Sequence, residues 1–188
     1  MKRLISAMLM LMLAIGAAAV AEPQNPPPVN ALAGYDRYEL APIALGPPYA
    51  GDEGKEKARD KIQGYMTAET GAIIEQWNKD AAGSARGQSL VLEPRLEKLK
   101  VVSGGARFWG GALAGDSYVV MKIRITEQPS GTLLAEPEFY QRASAMSGAW
   151  TFGAQDKDMM HRIVVLANHY LQSNYQAAVG GPTGYDPQ

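Results

Sequence analysis

Between Tyr118 and Thr126 the chain alternates strictly, with Val119, Met121, Ile123 and Ile125 on one side and Lys122, Arg124 and Thr126 on the other. Successive side chains of a strand point to opposite faces, so the apolar row must be covered by a second layer while the other row meets water. Gln128-Pro129-Ser130-Gly131 has turn chemistry, and Thr132 to Tyr140 returns as the second arm of a hairpin. Upstream, Leu90, Leu92 and Leu96 oppose Glu93, Arg95 and Glu97 in a further half-buried strand. Pro94 has no N–H for a ladder, which predicts an edge strand or a bulge there. Tyr38, Leu40 and Pro42 alternate with Glu39 and Ala41 in a short first strand that Ile43 and Leu45 continue and Pro47-Pro48 ends.

The covering layer is written at a different period. From Asp52 to Lys79, Ala58, Ile62, Tyr65, Met66, Ile73 and Trp77 recur at three- and four-residue spacing, with Glu56, Lys57, Asp60, Lys61 and Glu75 on the other side. Gly64 and Gly71 weaken that helix and mark places for close packing or a break. A last helix over about Asp156 to Tyr175 presents Ile163, Leu166, Tyr170 and Leu171, with Asp156 and Asp158 near its N-terminus where negative charge is favoured. Trp77 and Trp150 read as core. The order strand, helix, strand, hairpin, helix predicts an α+β domain: two layers, a mostly antiparallel sheet of about four to five strands, and two helices packed on one face.

The ends have their own grammar. Lys2 and Arg3 precede an apolar run from Leu4 to Val20, and Ala19-Val20-Ala21 places small residues where a signal peptidase needs them. Residues 1–21 therefore read as a signal peptide cleaved after Ala21, the mature protein entering the periplasm without a membrane span. Residues 22–34, with Pro23, Pro26, Pro27 and Pro28, read as a proline-rich linker outside the core. Residues 35–175 form the domain, and 176–188, with Gly180, Gly181, Pro182, Gly184 and Pro187, read as a disordered tail. There is no cysteine, hence neither disulfide nor lipobox, and the core alone must hold the domain. With Lys2 and Arg3 removed, 16 basic residues face 19 acidic ones, a balance that gives no argument for nucleic acid.

Few side chains offer chemistry. Gly115-Asp116-Ser117 and Asp158-Met159-Met160-His161 are similar to the Gly-Asp-Ser and Asp-x-x-His elements of one hydrolase superfamily, with Ser117 as nucleophile and His161 as base. In that superfamily, however, the serine follows the first strand and opens a helix, whereas Ser117 sits mid-chain before a strand, with no Gly-x-Asn-Asp element. His161 and His169 are two helical turns apart, too far for one ion without further ligands, so no metal is expected. Glu136 and Glu138 read as a solvated strand face. Arg107-Phe108-Trp109 lies between Gly104-Gly105 and Gly110-Gly111. No Gly-Lys-Ser/Thr or helix follows to make it a phosphate loop, and no cofactor is expected. Glycines around an Arg-aromatic triplet instead suit either a cap over the core or a contact lip, and Trp and Arg are favoured at interface centres.

Arg107-Phe108-Trp109-Gly110-Gly111, Ala114-Gly115-x-Ser117, the alternation from Val119 to Ile125, and Ser130-Gly131-Thr132-Leu133-Leu134 together resemble a bacterial family of envelope proteins whose small α+β domain has no assigned function. Its members often carry a lipobox, which this chain lacks. In element order the chain is more distantly similar to curli-secretion-channel and TolB amino-terminal domains. Export, the lack of a convincing catalytic set and the glycine-framed Arg-aromatic segment lead to the expectation of a non-enzymatic periplasmic binding or assembly domain that contacts another envelope protein, with Arg107, Phe108 and Trp109 as candidate contact residues and self-association open. The alternatives are a serine hydrolase using Ser117 and His161, and a small-molecule carrier between sheet and helices.

Overall fold

A computed structural model describes residues 24–49, 51–83, 86–102, 115–143 and 154–185. The expected signal peptide and its cleavage site, Arg107-Phe108-Trp109 with its flanking glycines, and Trp150 lie outside the described residues.

The alternating segments form the sheet. β2 (Arg37–Leu40) and β3 (Ala44–Leu45) lie in succession along one side of β4 (Ser89–Lys100), both parallel to it. β4 pairs antiparallel with β5 (Ser117–Gln128) along nearly its whole length, with a bulge between Leu96 and Lys98. On the far side of β5 come β6 (Thr132–Ala135) and β7 (Glu138–Ala143), both antiparallel. The expected return strand is thus split in two at Glu136-Pro137, and the parallel first strands make the sheet mixed. β5 ends at Gln128 and β6 begins at Thr132, with Gly131 at φ +71° in the turn, a conformation that favours glycine.

Pro94 departs from expectation. β4 is an interior strand, and its bulge falls three residues beyond the proline. Ala41 and Gly46 donate to the carbonyls of Leu92 and Leu96, so the Pro94 nitrogen between them faces the gap where β2 has ended and β3 has not begun. A missing N–H costs nothing where no acceptor stands opposite. In the same gap Pro42 also lacks a donor, and the Ile43 N–H is taken by Gln63 Oε1 at 2.7 Å.

The covering layer holds a helical stretch broken once and an uninterrupted helix. α1 (Glu53–Ala68) starts at Asp52, whose carboxylate accepts from the Lys55 N–H at 3.1 Å, with Glu53 and Glu56 in the first turn. The helical pattern continues as α2 (Thr70–Asp80) after a break at Glu69, beside Gly71. A Cβ at Gly71 would meet nothing closer than 3.8 Å, so the glycine marks weak helix propensity, not a steric need. At the break Thr70 is fully buried and donates to Asn168 Oδ1 at 2.7 Å on α3 (Ala154–Ser173). Ile62, Met66, Ile163, Val164, Ala167, Tyr170 and Leu171 pack on Leu90, Leu92, Leu96, Val119, Met121, Ile123, Ile125 and Phe139, all with essentially no exposure. Trp77 stacks on Tyr175 at 4.5 Å and meets Tyr38 edge-on, closing one end of this core.

The chain ends pack differently from the tether and tail expected at 22–34 and 176–188. β1 (Gln24–Asn25) pairs antiparallel with β8 (Gly181–Pro182). Leu32 is fully buried, Leu32 and Ala33 donate to the carbonyls of Asn174 and Tyr175, and the Tyr170 hydroxyl donates to Pro26 O. Proline and glycine, which signal disorder by composition, here serve close non-repetitive packing. Gly180 has φ +78°, and a Cβ on it would stand 2.5 Å from Asn25 O.

Candidate interaction surface

A sheet can meet a partner along an edge or across a face, and parts of both edges of this one are already occupied. On the β2 edge, Asn78 mimics a peptide group: its Oδ1 accepts from the Tyr38 N–H at 2.8 Å and its Nδ2 donates to Tyr38 O at 2.9 Å. On the opposite edge Asn25 does the same for Glu138, at 2.8 Å in both directions. Beside it the Tyr140 N–H donates to Thr183 O, and the Val29 N–H to Leu134 O. These bonds satisfy groups that would otherwise template another strand. One face lies under the helices. Among the described residues no helix lies on the other.

The outer face carries the residues that alternate with the core. A hollow of about 510 Å³ lies along its β2–β3 side, lined by Pro42, Glu93, Arg95, Lys122, Arg124 and Glu136 among others. Arg95 pairs with Glu97, and Lys122 with Glu138 at 3.5 Å, so Glu138 sits on the solvated face as expected. Thr126 points to this face but is only 5 % exposed, because its cross-strand neighbours Val91 and Leu133 flank it.

At the β7 end lies a second, more apolar hollow of about 480 Å³, lined by Lys98, Tyr118, Val120, Glu138, Tyr140, Thr183 and Tyr185. The register places Lys98, Val120 and Tyr140 in one row and Lys100, Tyr118 and Arg142 in the next. Val120 forms the floor at 8 % exposure, and the Tyr185 ring meets Tyr140 edge-on at 5.3 Å. Burial raises the Tyr140 phenol above its ordinary range, keeping it neutral. Sequence reasoning missed this hollow: Tyr118 and Tyr140 were read only as strand ends, and Tyr185 fell in the expected tail. Segment 103–114, which contains Arg107, Phe108 and Trp109, joins Val102 to Gly115 next to the Lys100–Tyr118 row.

The hydrolase candidates have other attachments. Ser117 is fully buried at the start of β5, and its Oγ accepts from the Val102 N–H at 2.9 Å. His161, on α3, shares a 2.6 Å hydrogen bond with Glu69 Oε1 at the α1–α2 break and lies against the Tyr65 ring. Its side chain is 44 % exposed. His169 lines a shallow hollow with Glu69, Ile73, Val165, Asn168 and Gln172. Among the described residues there is no group of three metal-ligating side chains, and no helix long and apolar enough to cross a membrane.

No family model matches this chain, and no curated protein does. Among solved structures, a PelC dodecamer from Paraburkholderia phytofirmans is similar at 16 % identity and TM-score 0.39, covering 84 % of this chain and 99 % of that one. The hypothetical protein CT253 from Chlamydia trachomatis is similar at 9 % identity and TM-score 0.37, covering 73 % and 98 %. The lipoprotein GNA1162 from Neisseria meningitidis is similar at 15 % identity and TM-score 0.34, covering 70 % and 98 %. Similarity at this level assigns no function.

Proposed function

We propose that this chain is an exported, non-enzymatic binding domain that acts in the periplasm by contacting another protein of the cell envelope through the sheet face turned away from its helices. One observation carries the reading: side-chain amides and chain ends hold Tyr38 on one sheet edge and the β6–β7 edge on the other, while the face away from the helices, on which no helix lies among the described residues, bears two hollows. The order of charges, apolar run and small residues at 1–21 supports export. The resemblance of the segments from Arg107 to Leu134 to envelope domains supports the setting. Arg107, Phe108 and Trp109 are candidate contact residues on sequence grounds, as an Arg-aromatic triplet framed by glycines.

The test is photo-crosslinking in intact cells from single positions, followed by mass spectrometry of the captured adducts. A crosslinker at Tyr118 or Arg124 is expected to trap one reproducible envelope protein, and a crosslinker at Glu75 on the helix layer is not. Trp109→Ala and Arg107→Ala should weaken the adduct from Tyr118. Equal trapping from both layers, or none from the sheet face, would remove this reading.

A further inference from the structure

The second hollow is specific enough in shape and charge to name what it takes. We propose that the hollow between Tyr118, Tyr140 and Tyr185 docks a short acidic–apolar peptide segment of the partner, its apolar side chain seated on the tyrosine rings and an adjacent Asp or Glu carboxylate meeting Lys98. This rests on the protein-binding reading above and narrows it to one end of one face.

Three features lead there. The lining is aromatic over an apolar floor, and tyrosines give large contact area with few torsions to freeze. A volume of about 480 Å³ suits one or two side chains of a peptide better than a whole domain surface. The second feature is charge. Of the cations at this end, Lys122 pairs with Glu138 and Arg142 with Asp116 at 3.6 Å. Lys98 and Lys100 are exposed and have no anionic partner among the described residues. The surplus is positive, so a basic segment is repelled and an acidic one attracted. The neutral, half-buried Tyr140 phenol adds no opposing charge.

The third feature is how the wall is made. Thr183 and Tyr185 belong to the C-terminal strap that runs beside β7, with Thr183 O holding the Tyr140 N–H at 2.8 Å. That strap occupies the edge a β-adding peptide would need, so recognition falls to side chains in the hollow and not to main-chain ladder bonds. Concavity also argues against a membrane contact, which favours protruding aromatics that enter the headgroup layer.

The experiment is an NMR titration of the ¹⁵N-labelled protein purified from the envelope, using the peptide acetyl-Asp-Phe-Glu-Leu-amide and its charge-reversed counterpart with Lys at both acidic positions. The acidic peptide is expected to shift the amides of Tyr118, Val120 and Tyr140 saturably, and the reversed peptide to bind about tenfold more weakly or worse. Lys98→Glu, an exposed substitution that the fold tolerates, should invert that preference, and Tyr185→Ala should weaken the acidic peptide about tenfold. Failure of the acidic peptide at millimolar concentration, equal binding of both peptides, or shifts confined to other surfaces would overturn the proposal. So would phosphatidylglycerol vesicles that perturb these amides when the peptides do not. If crosslinks still form from Tyr118 while the peptides fail, the docking chemistry falls and the protein-binding reading stands. If the peptides bind as expected and no envelope adduct forms, the hollow stands and the envelope partner falls.

Discussion

Asn174→Ala should detach the C-terminal strap without unfolding the domain. Asn174 is fully buried just beyond the end of α3. Its Nδ2 donates to Tyr170 O at 2.8 Å and Gly180 O at 3.0 Å, and its Oδ1 accepts from the Val179 and Gly180 N–H groups, both at 2.8 Å. Alanine removes all four bonds. Tyr170 O keeps the Asn174 backbone N–H at 3.1 Å, so three backbone groups of Val179 and Gly180 are orphaned. At ~1–3 kcal/mol for each unsatisfied group, leaving the two groups of buried Gly180 without partners would cost about 2–6 kcal/mol, the Val179 N–H belonging to an exposed residue. The strap has a cheaper escape, since residues 176–185 can peel into water. The cost is then what the strap itself contributes: a few backbone hydrogen bonds at ~1 kcal/mol each and the partial burial of Tyr185, together about 2–4 kcal/mol. The smaller figure wins.

Two assays read this out. Urea unfolding should lose about 2–4 kcal/mol at most, well under the usual total for a domain of this size. Native-state hydrogen exchange should show the loss as local: the amides of Val179, Gly180 and Tyr140 lose protection, the last because its acceptor is Thr183 O, while Ile163 and Val164 within α3 keep theirs. An unchanged urea midpoint with unchanged protection at Val179 and Gly180 would refute the argument. So would uniform loss through α3, which would make Asn174 a support of the whole core.

Three further outcomes are expected. Gly184→Ala places a Cβ 2.6 Å from Tyr140 O and 2.5 Å from Leu166 Cδ2, at φ +72°, and should lower stability by roughly 1–3 kcal/mol while changing tyrosine fluorescence in the outer hollow. Ser117→Ala removes the acceptor of the Val102 N–H in a fully buried site and should lower stability by about 1–3 kcal/mol in thermal denaturation. Tyr38 and Tyr170, with 2 % and 0 % exposure, have phenols pushed by burial from 10.0 to about 12. Because the folded state holds these protons more tightly, stability is full below pH 10 and falls as pH rises from 10 to 12, by ~2–3 kcal/mol for each tyrosine. Tyr170→Phe should flatten that slope in melting curves recorded from pH 9 to 12.

What was legible in the sequence follows from what is local. The alternation of Val119 to Ile125 and the spacing of Ile62, Met66 and Ile163 fixed strands, helices and buried faces, because burial of one face has a period that a window of residues reveals. Pro94 misled because its fitness depends on what stands across the ladder, and the gap between β2 and β3 lies some fifty residues upstream. The chain ends misled for a similar reason. Asn25 serves Glu138, 113 residues away, and nothing in Gln24-Asn25-Pro26 announces a strand. The outer hollow needed Tyr185 to be placed beside Tyr140, a contact set by Gly184 and the strap. No pattern of spacing encodes that.

A chain with no cysteine, if exported, must close its ends by other means, and here asparagine side chains do so. The device has a consequence for binding. The strap that Asn174 anchors is also the wall that carries Thr183 and Tyr185, so folding of the strap and occupancy of the hollow are linked. A ligand that binds only the closed strap stabilises it by about 2.7 kcal/mol at a hundredfold excess over its Kd. The converse must hold: if Asn174→Ala leaves the strap open nine-tenths of the time, the apparent Kd of the acidic peptide rises about tenfold, although Asn174 lines no part of the hollow. Titration of that variant with acetyl-Asp-Phe-Glu-Leu-amide measures the shift, and saturating peptide should restore protection to Val179 and Gly180. An unchanged Kd alongside exposed Val179 and Gly180 amides would mean that the tyrosine hollow forms without the strap, and the link between end closure and docking would be gone.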